Sequence, residues 1–183
     1  MQWSDKIKAP YEVPFNLAEY VGVRVKLDAD AKKLVHACTF QSAVYIVFRS
    51  NVPQYVGESG AVSTRFIAGV EKPEKGYVWQ NSGGQFNVYF FEVPDNEAFR
   101  QAIEIEVMFL LRLYTGFWPI DSSRVNPFHQ LKSDTLEINL ASTRAREILE
   151  ILFKLNPVFG NMSPEEVALL AAFDLTESGL GRR

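Results

Sequence analysis

The chain has 183 residues, 47% hydrophobic, 22% charged and 13% aromatic, which is enough for one domain with a real core plus extensions. No apolar run approaches the ~20 residues needed to span a bilayer, and the opening MQWSDKIKAPYEVP has no apolar signal core, so a cytoplasmic protein without a membrane partner is expected. The single cysteine, Cys38, excludes an internal disulfide, no Cys/His set has zinc spacing, and a net charge of −3 with a pI near 5.5 excludes a strongly basic nucleic-acid binder while leaving room for a local basic patch.

Residues 1–20, with Pro10 and Pro14, read as an extended arm. In residues 22–28, Val23, Val25 and Leu27 alternate with Arg24, Lys26 and Asp28, as in a half-buried strand. Asp28 or Asp30 can cap a helix reaching about Cys38. His36, inside that helix, reads as a surface or packing residue. Val44 to Phe48 is β-branched and aromatic, and predicts a strand. Asn51-Val52-Pro53 turns the chain, and Gln54-Tyr55-Val56-Gly57 opens a second strand at hairpin distance. Glu58-Ser59-Gly60 breaks that strand. Residues 61–70 then carry Val62, Phe66, Ile67 and Val70 at helical spacing, with Arg65 among them. A polar loop over residues 71–85 holds Lys72, Lys75, Tyr77, Trp79 and the pair Gly83-Gly84. The glycines have no helix behind them, so a phosphate loop is a poor reading. The loop either meets a nucleic-acid backbone or is solvated around one anchoring tryptophan. Residues 86–93 predict a third strand, ended by Pro94-Asp95.

The pattern over residues 97–114 predicts a helix. Glu97, Arg100, Gln101, Glu104 and Arg112 fall on one side, and Phe99, Ala102, Ile103, Phe109, Leu110 and Leu113 on the other. Glu106 lies in the middle of the apolar side, where a carboxylate is costly unless a cation or strong donors meet it. Either it serves a site or it is buried against a structural arginine. Glu104, beside Arg100, reads as a solvated partner one turn on. Thr115-Gly116 ends the helix, and a loop follows that contains Asn126 and His129, the latter read as structural. Residues 136–140 predict a strand. Ser142 is expected to cap a helix to Leu155, with Ile148, Leu149, Leu152 and Leu155 inward. Asn156-Pro157 stops it, and Ser163-Pro164-Glu165-Glu166 opens a last helix over about 164–173.

Tyr45, Tyr55 and Arg65 follow one another at intervals of ten residues, on adjacent strands and the helix after them, so two phenols and a guanidinium could converge on one phosphate. This arrangement resembles the GIY-YIG nuclease domain. Ala43-Val44-Tyr45 stands where the family has its first triplet, Tyr55-Val56-Gly57 where it has its second, and Arg65 where it has its arginine. Glu106, followed by Phe109 and Leu110, matches the metal-binding glutamate. The resemblance covers about residues 42–126. It implies an α/β (α+β) fold with a small, mainly antiparallel central sheet flanked by helices. Residues 1–41 would be an N-terminal extension and 127–183 a C-terminal one packed on the same domain.

The resemblance also implies a metal-dependent endonuclease acting on DNA, with Tyr45, Tyr55, Arg65 and Glu106 catalytic and Mg²⁺ or Mn²⁺ held by Glu106. No small-molecule cofactor is expected. Arg49, Lys72, Lys75, Tyr77 and Asn126 are the candidate nucleic-acid contacts. Three positions depart from the family pattern. Ala43 replaces a glycine, Gly69 stands where relatives often carry histidine or tyrosine, and Glu58 stands where the repair branch carries lysine. The second reading is a GIY-YIG-derived module that binds nucleic acid without cleaving it.

Overall fold

The computed structural model describes residues 6–17, 26–71, 83–116, 118–119 and 135–155, with the side chains of 135–139 left aside. The elements run β1 (Tyr11–Leu17), α1 (Ala29–Ala37), β2 (Ala43–Arg49), β3 (Val52–Ser59), α2 (Val62–Glu71), β4 (Gly84–Glu92), α3 (Glu97–Thr115) and α4 (Thr135–Leu155). The fold is α+β: a four-stranded sheet in the order β1-β4-β2-β3, antiparallel throughout, packed against helices.

Side chains on a strand alternate between faces, and β2 shows this directly. Ala43, Tyr45 and Val47 join one core with α1 and α2, through Ala31, Val35, Val62, Phe66 and Val70. Val44, Ile46 and Phe48 join the other with α3 and α4, through Phe99, Ile103, Val107, Leu111, Ala145, Ile148 and Leu149. Both faces of the central strands are therefore covered, which is why β2 reads as an unbroken apolar run. No helix among the described residues is long and apolar enough to cross a membrane.

The β2–β3 hairpin turns one residue earlier than expected, through Ser50 and Asn51, both at positive φ (46° and 68°). Two such residues make the tight loop whose twist matches that of paired strands. Pro53 lies within β3, an edge strand, where a missing ladder donor is tolerated. The register slips between Val47 and Phe48: Val47 faces Tyr55 while Phe48 faces Pro53, leaving Gln54 as an extra residue. Gln54 is buried, and its side-chain amide donates to the Val52 carbonyl at 3.1 Å.

Several expectations need correction. The N-terminal segment is not an extended arm, because Tyr11–Leu17 pairs along its whole length with β4. Val13, Phe15 and Leu17 point into the core, and Pro14 is accommodated because β1 is the other edge of the sheet. Of the strand expected over residues 22–28, residues 26–28 are not strand, and the rest lie outside the described residues. Asp28 caps α1 as expected, accepting from the Ala31 amide at 2.7 Å. That bond leads the causes holding its carboxyl below the usual value.

The strand expected over 136–140 is instead the first turn and a half of α4, and Ser142 is inside that helix rather than its cap. Ala141, Ala145, Ile148, Leu149 and Leu152 keep one helical face on the core, and a continuous helix satisfies that spacing. Leu155, expected inward, is exposed at the end of α4. The helix expected over 164–173 lies outside the described residues.

Candidate functional site

Tyr45 lies in the middle of β2 and Tyr55 in β3, on the face covered by α1 and α2. Their rings are 5.9 Å apart, and Tyr45 also meets Phe66 at 5.6 Å and Phe90 at 5.7 Å. Only 8% of Tyr45 and 9% of Tyr55 is exposed, so the rings are part of the core. Directly across from Tyr45 is Gly57. A Cβ at Gly57 would sit 2.5 Å from Cζ of Tyr45, 2.6 Å from its hydroxyl oxygen and 2.6 Å from Cε1 of Tyr55. Real Cβ atoms do not approach so closely, so the hydroxyl end of Tyr45 can lie over β3 only because residue 57 has no side chain.

Phe66, which packs on Tyr45, follows Arg65 in α2, and Gly57 precedes Glu58, whose side chain lies on the opposite face of the sheet with Val44. Arg65 is on the first turns of α2 and exposed; its backbone amide donates to the Ala61 carbonyl, and its side chain makes no hydrogen bond or ion pair among the described residues. Its charge nonetheless acts on a carboxylate from the other layer. The Glu104 carboxyl is pushed up to about 8, first by burial and then by Glu58, with Arg65 opposing the rise. Glu104 on α3 and Arg65 on α2 thus meet electrostatically at the margin of β3, the strand on whose two faces those helices pack.

This corrects the helical wheel. Glu104 does not pair with Arg100. Arg100 is itself buried, with Nε on Glu58 at 2.8 Å, Nη1 on Asp95 at 2.7 Å and Nη1 on the Ser42 hydroxyl at 3.4 Å. The buried arc of α3 runs through Phe99, Arg100, Ala102, Ile103, Val107, Met108, Leu111 and Thr115. Phe109 and Leu113, assigned inward from their hydrophobicity, are exposed, Leu113 by 76%. A charge with two anionic partners enters the interior where an unpaired one would not, and this rotates the covered side of the helix toward Arg100 and Glu104.

Glu106 is half-buried on α3, the layer opposite the tyrosines, and makes no hydrogen bond or ion pair among the described residues. The structural arginine of this helix is matched with Glu58 and Asp95. Arg49 is at the hairpin end of the β2–β3 ladder, its guanidinium 5.9 Å from the Phe86 ring centre, while Glu58 pairs with Val44 at the other end. Lys72, Lys75, Tyr77 and Asn126 lie outside the described residues. A Cβ at Gly69, one turn beyond Arg65, would meet nothing within 4 Å.

Glu104, Glu58 and Arg100 were not assigned to a site from the sequence. One signal pointed to them: Glu58 has the sign opposite to its counterpart in the repair branch, and a carboxylate inside a strand requires a cation nearby. No group of three or more His, Cys, Asp or Glu side chains able to hold a metal occurs among the described residues. Mg²⁺ commonly takes only one or two carboxylates and keeps its waters. A half-buried carboxyl that accepts no hydrogen bond among the described residues, with a second carboxylate acting on it, fits such a cation. No protein-family model, curated protein or solved structure matches the chain.

Proposed function

We propose that the protein is a metal-dependent endonuclease of the GIY-YIG type that hydrolyses DNA phosphodiester bonds, with Glu104 in the role expected of Glu106. The observation that carries this reading is the Tyr45 hydroxyl lying over Gly57, beside Tyr55, with Arg65 exposed and without an ion pair among the described residues, and its charge acting on the half-buried Glu104. An exposed guanidinium is suited to neutralise a phosphoryl oxygen, on which charge grows as a nucleophile attacks. Tyr45, steadied by Tyr55, Phe66 and Phe90, orients a water and takes its proton. A phenol with an unperturbed pKa of about 10 is a weak base at neutral pH, so this step needs a cation close to the hydroxyl. Glu104 would hold Mg²⁺ or Mn²⁺, which supplies Lewis-acid stabilisation of the phosphate and of the leaving 3′ oxygen.

The second reading, a module that binds nucleic acid without cleaving it, is favoured by the near-complete burial of both phenols and by the negative charge of Glu58 at the margin. Nicking of supercoiled DNA with and without Mg²⁺ separates the two. Under the nuclease reading Glu104→Gln lowers the rate on the order of a hundredfold or more, and Glu106→Gln leaves it near wild type. Loss in E106Q with full activity in E104Q removes Glu104 from the site. Duplex binding without nicking at any metal concentration establishes the binding module.

A further inference from the structure

The inner side of α4 is taken up by the core, through Ala141, Ala145, Ile148, Leu149 and Leu152. Its outer side borders a groove of about 460 Å³ whose other wall is the segment before β1, at Lys6 and Ile7. Two contacts hold that wall in place. Ile7 is packed into the core under α3 and α4, and its backbone amide donates to Oε2 of Glu147 at 3.0 Å, across 140 residues of sequence. Glu147 in turn accepts from Nη1 of Arg144 with both oxygens, at 2.7 Å each. This carboxylate is thereby matched by a nearly buried guanidinium and an amide, and adds little negative charge to the groove.

Three cations remain around it. Lys6 is on the N-terminal wall, and Arg146 and Lys154 are on α4, about 12 Å apart along the helix axis. All three are exposed, and none forms an ion pair or hydrogen bond among the described residues. The one opposing charge is Glu150, one turn from both Arg146 and Lys154, which closes on neither among the described residues. Exposed pairs of this kind are weak, because both charges are well solvated. In a chain of net charge −3 the groove is a local excess of positive charge, and its volume is that of a small-ligand site.

We propose that the groove between α4 and residues 6–7 binds a ligand with more than one phosphate group, held by Arg146, Lys154 and Lys6. The arginine offers a planar fork that fits two phosphate oxygens, and the lysines act as point charges. The separation of Arg146 and Lys154 suits two phosphates rather than one. Because α4 packs on the sheet face opposite the tyrosines, this site goes beyond the endonuclease reading and does not depend on it. The phosphates belong to a nucleic-acid backbone or to a free polyphosphate, which present the same oxygens to the groove.

Inorganic tripolyphosphate and a short single-stranded DNA, each with metal withheld, are the probes, followed by calorimetry at low salt and by NMR shifts at the Arg146 Nε–H. The wild type binds at least one of them, with saturable shifts at Arg146. For DNA the affinity falls with salt at a log–log slope of roughly −0.7 per phosphate contacted. R146Q/K154Q, altered at two exposed positions, binds about tenfold or more weakly, as for the loss of charged hydrogen bonds, and E150Q binds severalfold more tightly. Tripolyphosphate bound without DNA assigns a free polyphosphate, and DNA bound without tripolyphosphate assigns a backbone. Neither probe bound at low salt, binding without shifts at Arg146, or affinity unchanged in R146Q/K154Q overturns the proposal. R65Q keeps the Arg146 shifts whether or not the protein nicks DNA, so failure of the endonuclease reading is seen separately; shifts that vanish in R65Q overturn the independence of the two sites and the proposal with it.

Discussion

On one face of the sheet Tyr45, Tyr55, Phe66 and Phe90 meet ring against ring, with Arg65 at the rim of the cluster. The other face, under α3 and α4, is largely aliphatic until the margin of β3, where Glu58, Arg100 and Glu104 crowd together. The first region is held by shape. Its close contact at Gly57 leaves no room for a methyl group, and it contains no charge to satisfy. The second is held by pairing, in which a buried cation is tolerable because two carboxylates surround it. Shape survives changes of pH and salt, whereas pairing depends on which groups are ionised. The candidate site draws its phenols from the first region and its carboxylate from the second.

The most severe way to break the comparison is at the pairing. Arg100→Met strands Glu58 as a nearly buried charge and is expected to cost about 3–5 kcal/mol in urea denaturation. Replacing Glu58 as well, in E58M/R100M, recovers much of that loss, because no unmatched charge remains. Recovery of nothing would mean that Arg100 stabilises by packing alone. At the shape-held region, Gly57→Ala forces Tyr45 and Tyr55 to move and costs about 1–3 kcal/mol, the usual range for overpacking. Its loss should be the same at pH 5 and pH 8, which separates it from the charged margin.

Glu104 gives the pH-dependent contrast. Its carboxyl is raised from 4.5 to about 8 in the folded chain, so the native state retains a proton that the unfolded chain has released. Its contribution is therefore fully present below the unfolded value and is lost as pH rises from about 4.5 to about 8. The loss is at most about 1.4 kcal/mol per pH unit. Glu104→Gln should flatten the stability profile over that window. Arg65→Gln removes the opposing cation and should extend the fall to higher pH. An unchanged profile in E104Q would mean that the carboxyl is hydrated. The smallest effect is expected at Gly69, inside α2 with open space around it: Gly69→Ala should stabilise by about 0.5–1 kcal/mol through lost chain freedom.

The hairpin, α2 and β4 were legible in the sequence because their signals are local. A β-branched run, a turn rich in polar residues and an apolar helical period need only neighbours a few positions away. The same is true of the common face of Tyr45 and Tyr55. What could not be read locally is what covers each element. Pro14 argues against a strand until β1 is known to be an edge. The aliphatic residues at 136–140 suggest extension until α4 is seen to present one continuous face to the core. A helical wheel sorts α3 by composition, but burial of that helix is decided by β3 and by Glu58 and Asp95, neither of which is on the wheel. Arg100 one turn away makes Glu104 look like its surface partner, whereas Arg100 is taken up by Glu58 and Asp95, which lie beyond the helix.

The extra residue at Gln54 bears on how such a hairpin drifts over generations. Ladder pairing on the turn side runs Arg49 with Val52 and Phe48 with Pro53, and resumes at Val47 with Tyr55. Gln54 is the one position the ladder skips. A three-nucleotide deletion removing its codon would close the ladder into a regular hairpin, with the tyrosine still opposite Val47 and still on the side of Tyr45. The interval of ten between the tyrosines is thus one of two lengths that give the same facing. A homologous chain with nine could carry the same pair of phenols, and a motif scan with a rigid spacer would pass it by.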